Sequence, residues 1–253
     1  MEACTFRRPY DTAAHVFQFI VIAARYALYL VPHRDSLLWE TACRWLGRDP
    51  ETGLQLSQPE VPGYDAQRVK QLTHSPRQYG FHATLKAPFR LAEGADESQL
   101  MTRVAQLAHS LPAFVMPALQ VDTISGFLAL RHTGAAVQLE AMAETCVTTL
   151  DALRAPLDAS ERKRRHAAGL TARQRDLLEH WGYPFVLDEY RFHMTLTQRL
   201  DDRDAGFLLP WLQGWFAPAI TSATNQAELA VFVQPQLEAE FRLLRRFPLM
   251  GRG

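Results

Sequence analysis

Two short stretches of this chain are near copies of each other, and both carry side chains suited to acid–base chemistry. Tyr79-Gly-Phe-His-Ala-Thr-Leu-Lys86 returns as Tyr190-Arg-Phe-His-Met-Thr-Leu-Thr197. Successive residues of a β-strand alternate between its two faces, so the His and the Thr of each stretch point the same way. Two such strands, brought together, would present two imidazoles and two hydroxyls to one shared space.

A phosphodiester is the substrate that this set of groups suits best. A neutral imidazole can take a proton from an attacking water while a charged imidazole gives one to the leaving oxygen, and an ordinary pKa near 6.5 suits both tasks. We therefore predict His82 and His193 as the catalytic pair, with Thr84 and Thr195 bonding the non-bridging oxygens. The mechanism needs no metal or other cofactor. Neither motif has a third His, Cys or carboxylate at the spacing of a zinc ligand set.

Residues beside the motif histidines are predicted to bind substrate. Strict alternation places Lys86 and Arg191 on the His–Thr face, where they would offset the charge that builds in the transition state. The alternative is that both are solvated strand ends. Tyr79 and Tyr190, which begin the two motifs, are also counted among the predicted substrate contacts.

A basic run outside the motifs is a second candidate for binding phosphate. In Ser160-Glu-Arg-Lys-Arg-Arg-His166, helical spacing puts Arg162 and Arg165 on one face, where they could hold a second phosphate of the substrate. The competing interpretation is a solvated helix face whose charge is offset by Glu161.

The paired motifs resemble those of the 2H phosphoesterase superfamily, which includes RNA 2′,5′ ligase-like proteins and cyclic nucleotide phosphodiesterases. Longer stretches, such as Arg154-Ala-Pro-Leu157 and Trp181-Gly-Tyr-Pro184, resemble an uncharacterised bacterial branch associated with phosphonate-metabolism operons. The resemblance runs from about residue 25 to the C-terminus. It implies a bilobed fold, metal-independent phosphodiester chemistry, a catalytic role for both motif histidines and a phosphate-holding role for both motif threonines.

The rest of the chain predicts an α+β fold around the motifs. A strand–helix–strand–strand pattern follows each motif. It would give two lobes, each an antiparallel-rich sheet flanked by helices, related by a pseudo-twofold axis with the motif strands at a central cleft. The individual predictions are strands at 26–31, 80–86 and 190–197, a hairpin from 113 to 131, an irregular segment at 48–75, a helix from Asp35 or Ser36 to Leu46, a helical region at 159–181 broken near Gly169, and a helix at 202–216 interrupted at Pro210.

Bulk properties indicate a single domain over residues 25–253, with residues 1–24 as an extension. Three distant cysteines without a Cys-x-x-Cys pair favour reduced thiols in a cytoplasmic protein. A signal peptide is the alternative, because Arg7 and Arg8 precede an apolar run. Glu2 and Asp11 in the would-be basic region count against it. The apolar run is also too short to span a membrane.

The leading hypothesis is a metal-independent phosphodiesterase acting on a small cyclic phosphodiester, with a phosphorylated sugar or nucleotide as its partner. A ribose cyclic phosphate from phosphonate breakdown is one candidate. Processing or ligation of RNA ends is a second hypothesis, although a formal net charge of +0 gives no reason to expect binding along a nucleic acid. A non-catalytic nucleotide or phosphate sensor is a third, against which the intact His–Thr pairs argue. The oligomeric state is left open.

Overall fold

The computed structural model describes residues 24–113, 116–167, 169–221 and 227–251. Its strands are β1 (Arg25–Pro32), β2 (Ala83–Arg90), β3 (Leu119–Ile124), β4 (Phe127–His132), β5 (Met194–Thr195), β6 (Ala227–Gln234) and β7 (Arg242–Pro248). Its α-helices are α1 (Leu37–Leu46), α2 (Ala66–Leu72), α3 (His74–Tyr79), α4 (Glu97–Ser110), α5 (Val137–Leu150), α6 (Ala159–His166), α7 (Ala172–Trp181) and α8 (Asp202–Ile220). The α+β prediction is confirmed.

The strands form one sheet in the order β3-β4-β5-β2-β1-β6-β7, with every neighbouring pair antiparallel. The prediction of two separate sheets is therefore wrong for the described residues. The physical reason is the pairing of Ala83 with Met194, which joins the two motif strands and makes one sheet continuous through them. The pseudo-twofold relation between two lobes stays a prediction.

The motif strands begin later than predicted. β2 starts at Ala83 instead of residue 80, because α3 ends at Tyr79 and Gly80 follows it in a positive-φ conformation. β5 covers only Met194–Thr195 of the predicted strand 190–197. The expected apolar faces are nevertheless buried, since Phe81, Ala83, Phe192 and Met194 all lie in the core.

Local sequence signals predicted several helix ends correctly. The hydroxyl of Ser36 caps α1 at its start, and Gly47 ends it in the left-handed conformation. The break near Gly169 is also confirmed, because α6 ends at His166 and a capping box at Thr171 begins α7. β3 and β4 form the predicted hairpin.

Other local predictions were wrong. The segment 48–75 contains α2 and the start of α3 instead of being irregular throughout. α8 continues through Pro210, because Leu208, Leu212 and Phe216 are buried along one side of it and this packing outweighs the lost backbone bond. Residues 1–23 of the predicted extension lie outside the described residues.

Helix α4 contacts β6 and β7, and helix α5 contacts β2. Helix α8 contacts α1, β3 and β4. One large hydrophobic core joins these helices to the sheet, so the central strands β1, β2 and β5 are held firmly. No helix in the described part of the chain has the length and apolar character that crossing a membrane requires.

Candidate active site

The pairing of β2 with β5 brings the two motifs together in a crossed arrangement. Ala83 lies opposite Met194 in an antiparallel register. Continued by one residue in each direction, that register sets His82 opposite Thr195 and Thr84 opposite His193. Residues directly opposite each other on neighbouring strands share a face and lie about 5 Å apart. Each imidazole thus has the threonine of the other motif as its cross-strand neighbour.

Both histidine rings are held in the same way by the backbone. His82 donates from Nδ1 to the Gly80 carbonyl at 2.8 Å, and His193 donates from Nδ1 to the Arg191 carbonyl at 2.7 Å. A carbonyl oxygen only accepts, so each bond fixes the proton on Nδ1 and leaves Nε2 as the reactive atom. The Thr84 hydroxyl lies 3.2 Å from His82 Nε2, where it donates to the neutral ring. The two motifs therefore present equivalent imidazole nitrogens.

The histidines line two adjoining parts of one cleft. The His82 side is a cavity of about 390 Å³ that also includes Thr84 and Thr195. The His193 side is a cavity of about 440 Å³ that also includes Thr84. Thr84, Ala87 and Tyr183 border both cavities, so the two cavities adjoin at the motif strands. Volumes of this size suit a small organic ligand.

The surroundings of the two imidazoles favour their neutral forms to different degrees. The His82 ring stacks on Tyr29 with 3.6 Å between centroids, and burial lowers the pKa of His82 to about 4. The charge of His193 lowers the pKa of His82 further, while the bond to Gly80 acts in the opposite direction. Burial also lowers the pKa of His193, with a further lowering from Arg131. The charge of His193 acts on His82, so the pair takes up its two protons in separate steps.

Three of the predicted substrate contacts border the cleft. Tyr79 lines the His82 side and stacks on Phe241, with ring centroids 5.1 Å apart. Tyr190 lines the His193 side, and its buried hydroxyl has no hydrogen-bond partner among the described residues. Arg191 also borders the His193 side, although its Nη1 donates to the carbonyls of Asp188 and Tyr190. A role for these three residues in binding substrate stays a proposal.

Lys86 is not brought to the cleft. Its side chain is buried, with the residue only 3% exposed, and Nζ donates to Asp151 Oδ1 and to the Val147 carbonyl, each at 3.1 Å. The reason is an irregularity in the strand pairing, since Thr84 pairs with Tyr29 but Lys86 pairs with Leu28. Consecutive residues of β1 face opposite sides, so the extra residue between them in β2 turns Lys86 away from Thr84. The prediction that Lys86 lies on the His–Thr face is therefore wrong, and Lys86 is not part of the site proposed below.

The two arginines predicted on α6 are separated by the structure. Arg162 is about half exposed and pairs with Glu179 of α7 at 3.3 Å, outside both parts of the cleft. Arg165 borders the His82 side, with its guanidinium carbon 5.6 Å from the centre of the Tyr183 ring. The solvated-face interpretation therefore fits Arg162, whereas phosphate binding by Arg165 stays a prediction.

Sequence reasoning missed several cleft residues. Arg25, Tyr29 and Arg164 all border the His82 side. The signal for Arg164 was present in the basic run, but helical spacing alone favoured its neighbours. Arg25 and Tyr29 belong to a strand that reads as core, and only its pairing with β2 places them beside the first motif. Tyr183 borders both parts of the cleft.

Other features of the described residues compete poorly with this cleft. A larger cavity of about 730 Å³ is bordered by segment 55–70, but no histidine or cysteine lines it. No group of three His, Cys, Asp or Glu side chains in the described ranges is arranged to hold a metal ion. We assign the candidate active site to the two-histidine cleft. Among the described residues, it alone combines paired proton-transfer groups with enclosed space.

The fold and the cleft thus define an α+β protein with a two-histidine site on the central strands of an antiparallel sheet. A family model described as "Protein of unknown function (DUF1045)" matches residues 84–242, more than half of the chain, and the chain belongs to this family. It is 38% identical over 233 residues to a protein of Janthinobacterium sp. (strain Marseille) named ribose 1,5-bisphosphate phosphokinase PhnN. It is 37% identical over 229 residues to a protein of the same name from Laribacter hongkongensis (strain HLHK9).

Each alignment covers 90% of this chain but only 51% and 53% of the respective relatives. The chain therefore spans about half the length of the curated relatives it matches.

Proposed function

We propose that this protein is a metal-independent phosphodiesterase that hydrolyses a small cyclic phosphodiester by two-histidine acid–base catalysis. The observation that carries the proposal is the matched geometry of the two imidazoles, each held by a backbone carbonyl through Nδ1 so that Nε2 is the unprotonated ring nitrogen. A protein that only binds phosphate has no need of two identically oriented proton-transfer groups.

The proton affinities of the pair suggest which histidine takes which role. Burial lowers the pKa of His82 to about 4, so this imidazole is neutral near pH 7 and its Nε2 removes the proton from the attacking water. His193 is assigned as the acid, and its Nε2 delivers a proton to the ring oxygen that leaves phosphorus. The new P–O bond forms to water while the ester bond breaks, and the product is a phosphomonoester. Binding of an anionic substrate favours the proton on His193.

The threonine hydroxyls and the cationic rim complete the proposed machinery. Thr84 and Thr195 lie opposite the histidines across the paired strands, where hydroxyl donors can reach the non-bridging oxygens. Arg191 borders the same cleft and adds positive charge on the His193 side. Donors fixed before reaction stabilise developing charge without reorganisation, which is the usual source of large rate effects.

The names of the relatives support the substrate class more than the reaction type. Those proteins are named for a kinase acting on ribose 1,5-bisphosphate, and a phosphorylated ribose is a candidate for this cleft as well. A role in phosphonate metabolism remains part of this proposal.

The kinase reaction itself finds little support in this chain. Its three lysines, Lys70, Lys86 and Lys163, never follow a glycine, so the Gly-Lys step of a phosphate-binding P-loop does not occur.

The proposal is tested by assaying the EDTA-treated protein against 2′,3′-cyclic nucleotides, ribose cyclic phosphates and oligonucleotide ends. His82→Gln and His193→Gln should each lower kcat by about 100-fold or more, because each removes one proton transfer. His109→Gln, which changes an exposed histidine on α4, is the matched control and should retain full activity.

Near-full activity in either motif variant would refute the two-histidine mechanism. Activity that disappears with EDTA and returns with a metal would refute the metal-independent mechanism. Turnover of oligonucleotide ends alone would favour RNA-end processing. Ligand binding without turnover of any diester would favour the sensor hypothesis.

A further inference from the structure

The two parts of the cleft differ in charge in a way that the proposed hydrolysis alone does not explain. The His82 side is bordered by three arginines, Arg25, Arg164 and Arg165, and no aspartate or glutamate lines it. The chain as a whole has a formal net charge of +0, so this clustering is local. The His193 side is bordered instead by aromatic and aliphatic residues together with Arg191, Arg199 and Glu189.

Arg165 is placed by a network that anchors α6 to the end of β2. Arg90 of β2 donates to Asp158 at 2.9 Å and to Glu161 at 3.1 Å, and Arg165 donates from Nη2 to Glu161 at 3.0 Å. The ring of Tyr183 supports its guanidinium from one side. These contacts use one of its terminal nitrogens and fix the planar group at the cavity wall. Positioned in this way, Arg165 can donate to an anion in the cavity.

Arg25 is placed by β1 and borders the same cavity. Its Nε donates to Gln234 at 2.7 Å, and its guanidinium carbon lies 5.7 Å from the centre of the Phe241 ring. Arg25 and Tyr29 are four residues apart and share a face of β1, which corresponds to roughly 13 Å along the strand. Tyr29 stacks on His82. The backbone of Arg25 therefore lies well along β1 from Tyr29, the residue that stacks on His82.

We propose that this arginine pocket, formed by Arg25, Arg164 and Arg165, binds a second phosphate of the substrate. The substrate class is a cyclic phosphodiester whose sugar also carries a terminal phosphomonoester. This inference rests on the proposed function for the reaction, but the pocket itself is defined by charge and geometry. Guanidinium groups suit a phosphomonoester because their N–H groups match its oxygens in pairs.

The kinetic test compares two substrates that differ by one phosphate, adenosine 2′,3′-cyclic phosphate and the same compound with a 5′-phosphate. The protein should prefer the 5′-phosphorylated compound by about 10- to 100-fold in kcat/KM, the range expected for charge-assisted hydrogen bonds. Arg165→Gln and Arg25→Gln should each reduce that preference by about tenfold. Lys163→Gln, on the exposed side of α6, is the matched control and should keep the preference.

A binding test separates failure of this inference from failure of the proposed function. Ribose 5-phosphate is titrated calorimetrically into the wild type, Arg165→Gln and Lys163→Gln, with circular dichroism confirming that each variant is folded. Weaker binding in Arg165→Gln alone would support the arginine pocket even if no diester were hydrolysed.

Equal binding by all three proteins would overturn the inference. So would equal turnover of the two adenosine compounds, although the hydrolase proposal would survive that result.

Discussion

Protonation of His82 should destabilise the folded protein as the pH falls below 6.5. The imidazole is neutral in the folded state, with a pKa near 4 caused first by burial, whereas an unfolded chain protonates at about 6.5. Below that pH the unfolded state binds more protons than the folded state, so the free energy of unfolding decreases with falling pH. The loss begins near pH 6.5 and levels off below pH 4. A difference of this size corresponds to roughly 3 kcal/mol.

The assay is urea unfolding of the wild type and His82→Gln at pH 7.0, 5.5 and 4.0. The glutamine keeps a polar side chain but does not titrate, so the variant lacks this one contribution. The stability advantage of the wild type over the variant should shrink by roughly 3 kcal/mol between pH 7.0 and 4.0. Parallel pH dependences for the two proteins would show that His82 is not shifted in the folded state and would refute the reasoning.

The pKa of His82 is lowered both by burial and by the charge of His193, and a second variant separates these two causes. The positive charge of His193 is one of the influences that lower the pKa of His82. His193→Gln removes that charge, and the pKa of His82, followed by NMR titration, should rise while staying below 6.5 because burial remains. For the active protein, kcat/KM should be bell-shaped with its optimum on the acid side of neutrality. A rate that keeps rising beyond pH 8 would contradict the assignment of His193 as the acid.

Four further substitutions test the described contacts. Lys86→Met should lower the free energy of unfolding by about 2 kcal/mol, because Asp151 then keeps only Arg154 as its charged partner. The value of kcat/KM should not change. A large loss of kcat/KM would show that Lys86 belongs to the site. Gly80→Ala should lower the free energy of unfolding, measured by thermal unfolding, by about 3 kcal/mol and should also lower kcat. The reason is that φ is +79° and the new Cβ would lie 2.7 Å from Pro50. Wild-type stability would contradict this. Thr84→Val and Thr195→Val should each lower kcat/KM about tenfold in steady-state assays with stability nearly unchanged, and full activity would exclude the hydroxyls from phosphate binding.

The sequence by itself determined the features that depend on local spacing. The duplicated His-x-Thr motif identified the residues that now line one cleft, and the alternation within each motif correctly predicted that Phe81 and Phe192 face the core. The caps at Ser36 and Thr171 were also readable, because a capping side chain bonds a backbone N–H only a few residues away.

Only the tertiary structure decided how the motifs meet. The pairing of Ala83 with Met194 joins segments far apart in the chain, and nothing local specifies a cross-strand partner. A single extra residue in β2, relative to β1, turned Lys86 from the cleft to a buried ion pair, which strict alternation cannot foresee. The arginine pocket is also a tertiary property, because Arg25 of β1 and Arg165 of α6 border one cavity only when α6 is anchored to β2.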